Sequence, residues 1–177
     1  MPDDRGNAET FEALAIPLLA PLYNFAHWLT GNRDEAEDLV QETYAKALKG
    51  FSSFRPGTNF RAWMYRILRN TFLTSRTGLK QTVSLDDEEN QVAEPAASDD
   101  PESLLFARAD EKEVRQALEQ LPLHHREIIL LCDVEEMSYQ QISELVGIPI
   151  GTVMSRLSRA RQAMRGLLRE KIQGVRP

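Results

Sequence analysis

Ser138-Tyr-Gln-Gln-Ile-Ser-Glu-Leu-Val-Gly147-Ile-Pro149-Ile-Gly-Thr-Val-Met-Ser-Arg-Leu-Ser-Arg-Ala-Arg161 carries the sharpest local signal in the chain. Ser138 followed three residues later by Gln141 fits a capping box, in which hydroxyl and amide satisfy each other's orphan backbone donors. The short helix that follows turns Tyr139, Ile142 and Leu145 inward. It ends at Val146-Gly147, a glycine suited to the left-handed backbone just past a helix. Pro149 stands at or near the first position of a longer basic helix, where its missing N–H costs nothing. A short helix, a tight glycine turn and a basic helix together predict a helix-turn-helix.

The longer helix has two faces. Val153, Leu157, Ala160, Met164 and Leu167 form the expected buried stripe. Gly151, Ser155, Arg159 and Gln162 fall opposite, flanked by Thr152, Arg156 and Arg161. Small residues near the N-terminus allow close approach to base edges, and arginines reach phosphate or guanine. The plainer alternative is a solvated basic helix packed on a bundle; the capped short helix and Gly147-Ile148-Pro149 turn favour DNA binding. Upstream, residues 104–121 predict a helix stopped by Pro122. A second follows over residues 124–135, with Ile128, Leu131 and Val134 as buried candidates.

The N-terminal part reads as a small helical bundle. Residues 11–30 carry a helical apolar pattern, with a break or restart near Pro17 and Pro21. Gly31-Asn32 is a turn. Residues 33–51 place Ala36, Val40, Ala47 and Phe51 on one stripe. After Pro56-Gly57-Thr58, residues 59–77 predict a third helix burying Phe60, Trp63, Met64, Ile67 and Thr71. Arg61, Tyr65, Arg69, Phe72 and Arg76 line a second face of it. Rings interleaved with guanidinium groups suit single-stranded or melted nucleic acid, because rings stack on unpaired bases while cations hold the backbone. Asn59, Arg66 and Asn70 form a polar strip beside them. Phe51, Phe54 and Phe60 around the Pro-Gly loop suit a base taken out of the stack; the competing reading of all these rings is core. Glu35, Asp38 and Glu42 share one side of the second helix with Gln41 beside them, either a solvated face or a dock for a basic partner.

The chain has 177 residues and a net charge of −6, room for one ordinary domain or two small ones. Charge is unevenly spread. Between residues 55 and 80 there are six basic residues and no acid, whereas residues 86–113 hold eleven acids against Arg108 and Lys112. Seven basic residues and one acid, Glu170, follow Met154. The acidic total is therefore made by one segment lying between two basic blocks, and local charge is the informative quantity. That acidic stretch, polar and aperiodic, reads as a linker, dividing an all-α chain into residues 1–81, a linker over 82–103 and residues 104–177. The single cysteine, Cys132, excludes a disulfide framework, and with His124 and His125 it completes no zinc spacing. There is no nucleophile–base pair, phosphate loop or apposed carboxylate pair, so an enzyme is not expected, nor a cofactor or metal. With no apolar run long enough to span a bilayer and no signal-peptide core, the expectation is a cytoplasmic chain without membrane insertion.

With these residues in place, the chain resembles the sigma-70 family of bacterial RNA polymerase initiation factors, in the short extracytoplasmic-function class that keeps regions 2 and 4. The resemblance rests on residues 29–43 (Leu-Thr-Gly-Asn-Arg-Asp-Glu-Ala-Glu-Asp-Leu-Val-Gln-Glu-Thr), on Phe54-Arg-Pro-Gly-Thr-Asn-Phe-Arg-Ala-Trp63 with the helix through Asn70, on Leu121-Pro122 with residues 126–131, and on residues 139–161. It implies that Glu35, Asp38, Leu39, Gln41 and Glu42 dock on the clamp helices of the largest subunit of core RNA polymerase. Phe54, Asn59, Arg61, Tyr65, Arg66, Arg69 and Asn70 would read and melt the −10 promoter element. Tyr139, Gly151, Thr152, Ser155, Arg156, Arg159 and Arg161 would read the −35 element in the major groove of promoter DNA, with the polymerase flap region against the same domain. An anti-sigma factor covering the polymerase-binding surfaces is a further implied partner. Many members of the class carry Lys or Arg where this chain has Met154. The acidic linker is expected to repel DNA in the unbound chain. The competing readings are a stand-alone helix-turn-helix regulator that dimerises through its N-terminal bundle, and an adaptor that binds polymerase or an inhibitor without reading DNA.

Overall fold

Pro17 interrupts the first helical stretch because its ring removes an N–H and collides with the preceding turn. The chain therefore runs α1 (Asp4–Ala15), a 3-10 turn (Ile16–Leu18) and α2 (Leu19–Thr30). In the computed structural model the described residues are 4–77 and 109–174, and the chain divides into two compact units, Met1–Asp86 and Asp87–Pro177. Every regular element among the described residues is helical. The stretch read as a linker and the expected helix start at residue 104 lie outside them.

In unit 1, α2 stops at Gly31, whose φ of 67° is left-handed and whose N–H bonds to His27 O at 2.9 Å. Asn32 caps α3 (Arg33–Gly50) by accepting the Glu35 N–H at 3.1 Å, so two residues reverse the chain and α2 packs on α3. A 3-10 turn (Phe51–Ser53) and the Pro-Gly loop lead to α4 (Phe60–Thr77). Leu22, Phe25 and Leu29 of α2, Ala36, Val40 and Ala47 of α3, and Met64 and Leu68 of α4 are buried. Each fully buried large side chain contributes about 1.5–3 kcal/mol. Phe11, Phe51, Phe54, Phe60 and Trp63 extend this core as a ring cluster with centroids 5.2–6.5 Å apart.

The buried face of α4 differs from the expected stripe. It runs through Phe60, Met64, Tyr65, Leu68, Thr71 and Phe72, while Trp63 and Ile67 are half-buried. Apolar side chains stand on more than half of the helix, and contact with α2 and α3 selects among them.

Tyr44 ties α3 to the end of α1. Its hydroxyl donates to Ala15 O at 2.7 Å, one of the carbonyls a helix end leaves unsatisfied, and desolvation pushes its pKa up to about 12. The unfolded chain ionises this phenol from about pH 10. Folding stability from Tyr44 is thus complete below pH 10 and lost as pH rises towards 12. Tyr44→Phe is expected to cost about 1 kcal/mol at neutral pH and to flatten the loss of stability in urea titrations between those pH values.

In unit 2, Asp110 and Glu113 form a capping box that opens α5 (Glu111–Gln120), with bonds of 2.8 and 3.0 Å. The stretch expected to be one helix over 104–121 is non-helical at residues 109–110, and its described helical part begins at Glu111. Helix α6 (Leu123–Ile129) runs into a π turn (Leu130–Val134), closed by Glu135 N–H to Leu130 O at 2.9 Å. The wider turn admits an extra residue and shifts the face that follows. Ile128, Leu130 and Leu131 are buried, whereas Val134, expected inside, is 52% exposed. Glu136 follows in the left-handed region, at φ 53°.

Helix α7 (Tyr139–Val146) and α8 (Ile150–Gly174) complete the unit. The Ser138–Gln141 capping box is formed, with bonds of 3.1 and 2.9 Å. Gly147 takes φ 78°, where a Cβ would be strained, and its N–H reaches Ser143 O at 2.9 Å. Val153, Leu157, Ala160 and Met164 are buried as expected, but Leu168 takes the last place in the stripe in place of Leu167. Among the described residues no helix is long and apolar enough to cross a membrane.

Candidate nucleic-acid and polymerase interfaces

On α3, Glu35, Asp38, Gln41 and Glu42 are all exposed, because they lie opposite the buried Ala36, Val40 and Ala47. Leu39, expected among them, is only 7% exposed. It belongs to the packed face of the helix. Glu42 Oε1 lies 3.0 Å from Lys46 Nζ one turn on.

Around α4 the expected residues separate. Tyr65 is fully buried, its ring 5.2 Å from that of Phe25 and covered by the Arg61 guanidinium at 5.1 Å. Phe72 is buried too, with Arg76 over it at 4.8 Å. The interleaved rings and arginines are therefore pairs within the molecule, each cation resting on a ring that faces the core. The expectation that Tyr65 and Phe72 stack on unpaired bases is corrected by their burial. Asn59 caps α4, its Oδ1 accepting the Ala62 N–H at 3.0 Å, so its side chain has a structural task. Arg66 and Asn70 are exposed and Arg69 half-exposed.

What the sequence reading missed lies on the neighbouring strip. Trp63, Ile67, Asn70 and Thr74 of α4 form one wall of an open cavity of about 350 Å³, closed by Lys46 and Gly50 of α3, Ser53 and Thr71. Its size matches that of small-ligand sites, roughly 300–1,000 Å³. Phe54 stands beside it, half-buried, stacked parallel on Phe51 and 5.2 Å from Trp63. One aromatic wall and a rim of amide, hydroxyl and ammonium groups suit a nucleobase, which stacks on a ring and bonds through its edge. The signal was present in the spacing of Trp63, Ile67, Asn70 and Thr74, a half-polar stripe, but Trp63 and Ile67 were assigned to the core.

In unit 2, Gly151 is exposed and Thr152, Ser155, Arg156 and Arg159 are half-exposed along the first turns of α8. Ser155 Oγ donates to Thr152 O at 3.2 Å. Tyr139, expected to turn inward with Ile142 and Leu145, is instead 38% exposed, because it stands at the first position of α7, and Met154 and Ile150 are 41% and 40% exposed. Arg161 departs from expectation. Its guanidinium pairs with the Asp133 carboxylate in the π turn, and that hydrogen bond raises its pKa. It fixes α8 to the π turn, and reaching a phosphate would require breaking the pair. No group of three or more His, Cys, Asp or Glu among the described residues is placed to hold a metal ion.

Both units match families of known proteins. Residues 16–81 match the family Sigma-70 region 2, and residues 111–164 match Sigma-70, region 4. The chain is 37% identical over 154 residues to the ECF RNA polymerase sigma factor EcfG of Rhodopseudomonas palustris, covering 87% of this chain and 81% of that one. It is 36% identical over 149 residues to the ECF RNA polymerase sigma factor SigE of Mycolicibacterium smegmatis, covering 83% of this chain and 57% of that relative. Among solved structures, the sigma factor RpoE bound to the anti-sigma factor NepR from Bartonella quintana superposes with a TM-score of 0.70. That match has 32% identity and covers 91% of this chain and 98% of that one.

Proposed function

The chain belongs to the sigma-70 family of RNA polymerase initiation factors, in its extracytoplasmic-function class, and we propose a division of its work between the two units. It is a transcription initiation factor that directs polymerase to promoters. Unit 1 docks on the clamp helices of the largest polymerase subunit through Glu35, Asp38, Gln41 and Glu42, four exposed polar side chains on one side of a rigid helix. Phe54, Trp63, Arg66, Arg69 and Asn70 hold the opened −10 strand, the cavity beside Trp63 receiving an unstacked base. Unit 2 lays the start of α8 in the major groove of the −35 element. There Gly151, Thr152 and Ser155 approach base edges, and Arg156, Arg159 and Tyr139 contact backbone or base. The chain joins two weak DNA contacts, and tethering makes the second effectively intramolecular. It does this without catalysing a reaction of its own and in the cytoplasm, where polymerase and promoter meet. An anti-sigma factor that covers the docking face would hold it inactive, as the NepR complex of the related RpoE suggests by analogy.

The observation that carries this reading is the open cavity of unit 1, with its aromatic wall and polar rim, in the same chain as a capped helix-turn-helix. The test is co-elution of the purified chain with bacterial core polymerase, followed by run-off transcription from promoters selected from a random pool. Co-elution with promoter-specific transcripts supports it. A folded, inhibitor-free chain that ignores polymerase and protects a palindromic site would instead be a stand-alone regulator.

Met154 offers a finer test. It is 41% exposed on the first turns of α8. Met154→Arg is expected to strengthen binding of the holoenzyme to promoter duplex and to steepen the slope of log K against log salt by about one, as one added phosphate contact does. Filter binding at several salt concentrations reads both.

A further inference from the structure

Lys46 stands on α3 where the two surfaces of unit 1 meet. Its Nζ lies 3.0 Å from Glu42 Oε1, on the acidic face. It also donates to Thr71 Oγ1 at 3.3 Å, in the wall of the cavity. Thr71 Oγ1 spends its own proton on Ile67 O at 2.8 Å, so towards Lys46 it can only accept. Thr71 is 3% exposed and cannot follow the ammonium if it moves. Glu42, by contrast, is 55% exposed at the side chain and Lys46 47%. Pairs this open are weak, and either partner leaves readily for a better one.

We propose that Lys46 couples polymerase docking to capture of the opened DNA strand. In the unbound chain Glu42 shares the ammonium at the cavity rim and screens its charge from DNA, and Lys46 in turn neutralises part of the acidic face. A basic group of the polymerase that takes Glu42 releases Lys46. The ammonium, a compact charge with three donors on a flexible stem, then turns to the phosphate of the nucleotide whose base enters the cavity. Coupling of this kind is reciprocal: strand capture by Lys46 frees Glu42 for the polymerase to the same degree. It adds to the acidic segment a second reason why the unbound chain should bind DNA poorly. The inference rests on the function proposed above.

The pairwise nature of the device gives it a signature that a structural lysine lacks, namely effects of opposite sign on the two ligands. Lys46→Met keeps the apolar stem and removes the charge. It is expected to tighten binding of the full chain to core polymerase about twofold, the size of one exposed i,i+4 pair. The same variant should weaken binding to a fluorescent single-stranded DNA oligonucleotide of random sequence by about threefold to tenfold, as loss of one phosphate contact does. Glu42→Gln is expected to do the reverse, weakening polymerase binding and strengthening that of the oligonucleotide about twofold. Lys46→Arg should restore oligonucleotide binding. Matching thermal unfolding of the variants verifies that the fold is intact. If Lys46→Met moves both affinities in the same direction, or leaves the oligonucleotide unaffected while the wild type binds both ligands, the coupling is refuted and the initiation-factor reading stands. A wild-type chain that binds neither ligand overturns both.

Discussion

Asp38→Lys combined with Gln41→Lys is expected to lower the affinity of the chain for core polymerase by about 100-fold, with its unfolding temperature unchanged. Both side chains are exposed in the middle of α3, clear of the capped first turn where Asn32 and Glu35 set the helix start. Lysine is a good helix former, and surface substitutions away from caps and cores stay within about 0.5 kcal/mol. The loss comes from the encounter itself. Each lysine faces a surface that must be basic if it is to recognise Glu35, Asp38 and Glu42, and like charges brought together at an interface cost kilocalories rather than tenths. One charge reversal and one added positive charge, at about 1.4 kcal/mol each, give the two decades. Surface plasmon resonance on immobilised core enzyme measures the change. Unchanged affinity would move the docking surface off α3, and reduced affinity with a lowered unfolding temperature would mean that the helix itself was damaged.

Arg126→Ala is expected to destabilise unit 2 by about 3 kcal/mol. The Arg126 guanidinium bonds to three carbonyls at the end of α5: Leu118 O at 2.7 Å, Glu119 O at 2.9 Å and Leu121 O at 3.2 Å. Leu118 O also accepts the Leu121 N–H at 3.2 Å, and a cation at this helix C-terminus is favoured by the aligned peptide dipoles as well as by the bonds themselves. Pro122, which carries no N–H, ends the helix abruptly, so no further helical turn continues beyond Leu121. Truncation leaves partly buried acceptors without the guanidinium and releases α5 from α6. For a unit of this size that free energy corresponds to a midpoint lower by roughly 15 °C. Arg126→Lys, a point charge without the fork, should recover only part of it. Calorimetry of the full chain measures both. A drop of under about 1 kcal/mol would show that solvent replaces the clamp at little cost.

The helix-turn-helix was legible almost residue by residue. The Ser138–Gln141 box, left-handed Gly147 and Pro149 just before α8 each act within a few residues of chain. So were the break at Pro17 and the Gly31-Asn32 turn. The faces were legible where apolar residues were sparse. Ala36, Val40 and Ala47 stand in a largely polar and charged α3, and all three are buried. On α4 they were not, because Trp63, Tyr65, Ile67, Leu68 and Phe72 offer apolar surface in several directions, and periodicity ranks no one direction above another. Leu39, Tyr65 and Arg161 sit less openly than their spacing predicts, for related reasons. Two faced a neighbour that the periodicity does not specify, and the third found Asp133, 28 residues away in the chain.

The sequence alone determined an all-helical chain in two units, the boundaries marked by its caps and prolines, the helix-turn-helix and the acidic face of α3. These follow from interactions spanning three or four residues, which the order of side chains specifies directly. Only the tertiary structure decided which side of α4 is buried, that Val134 turns outward after the π turn, that Arg161 is committed to Asp133, and that Lys46 stands between Glu42 and the cavity wall at Thr71. Each of these depends on where a second helix lies. A helical repeat fixes the angle between side chains on one helix, but contact with its neighbours sets which angle faces inward.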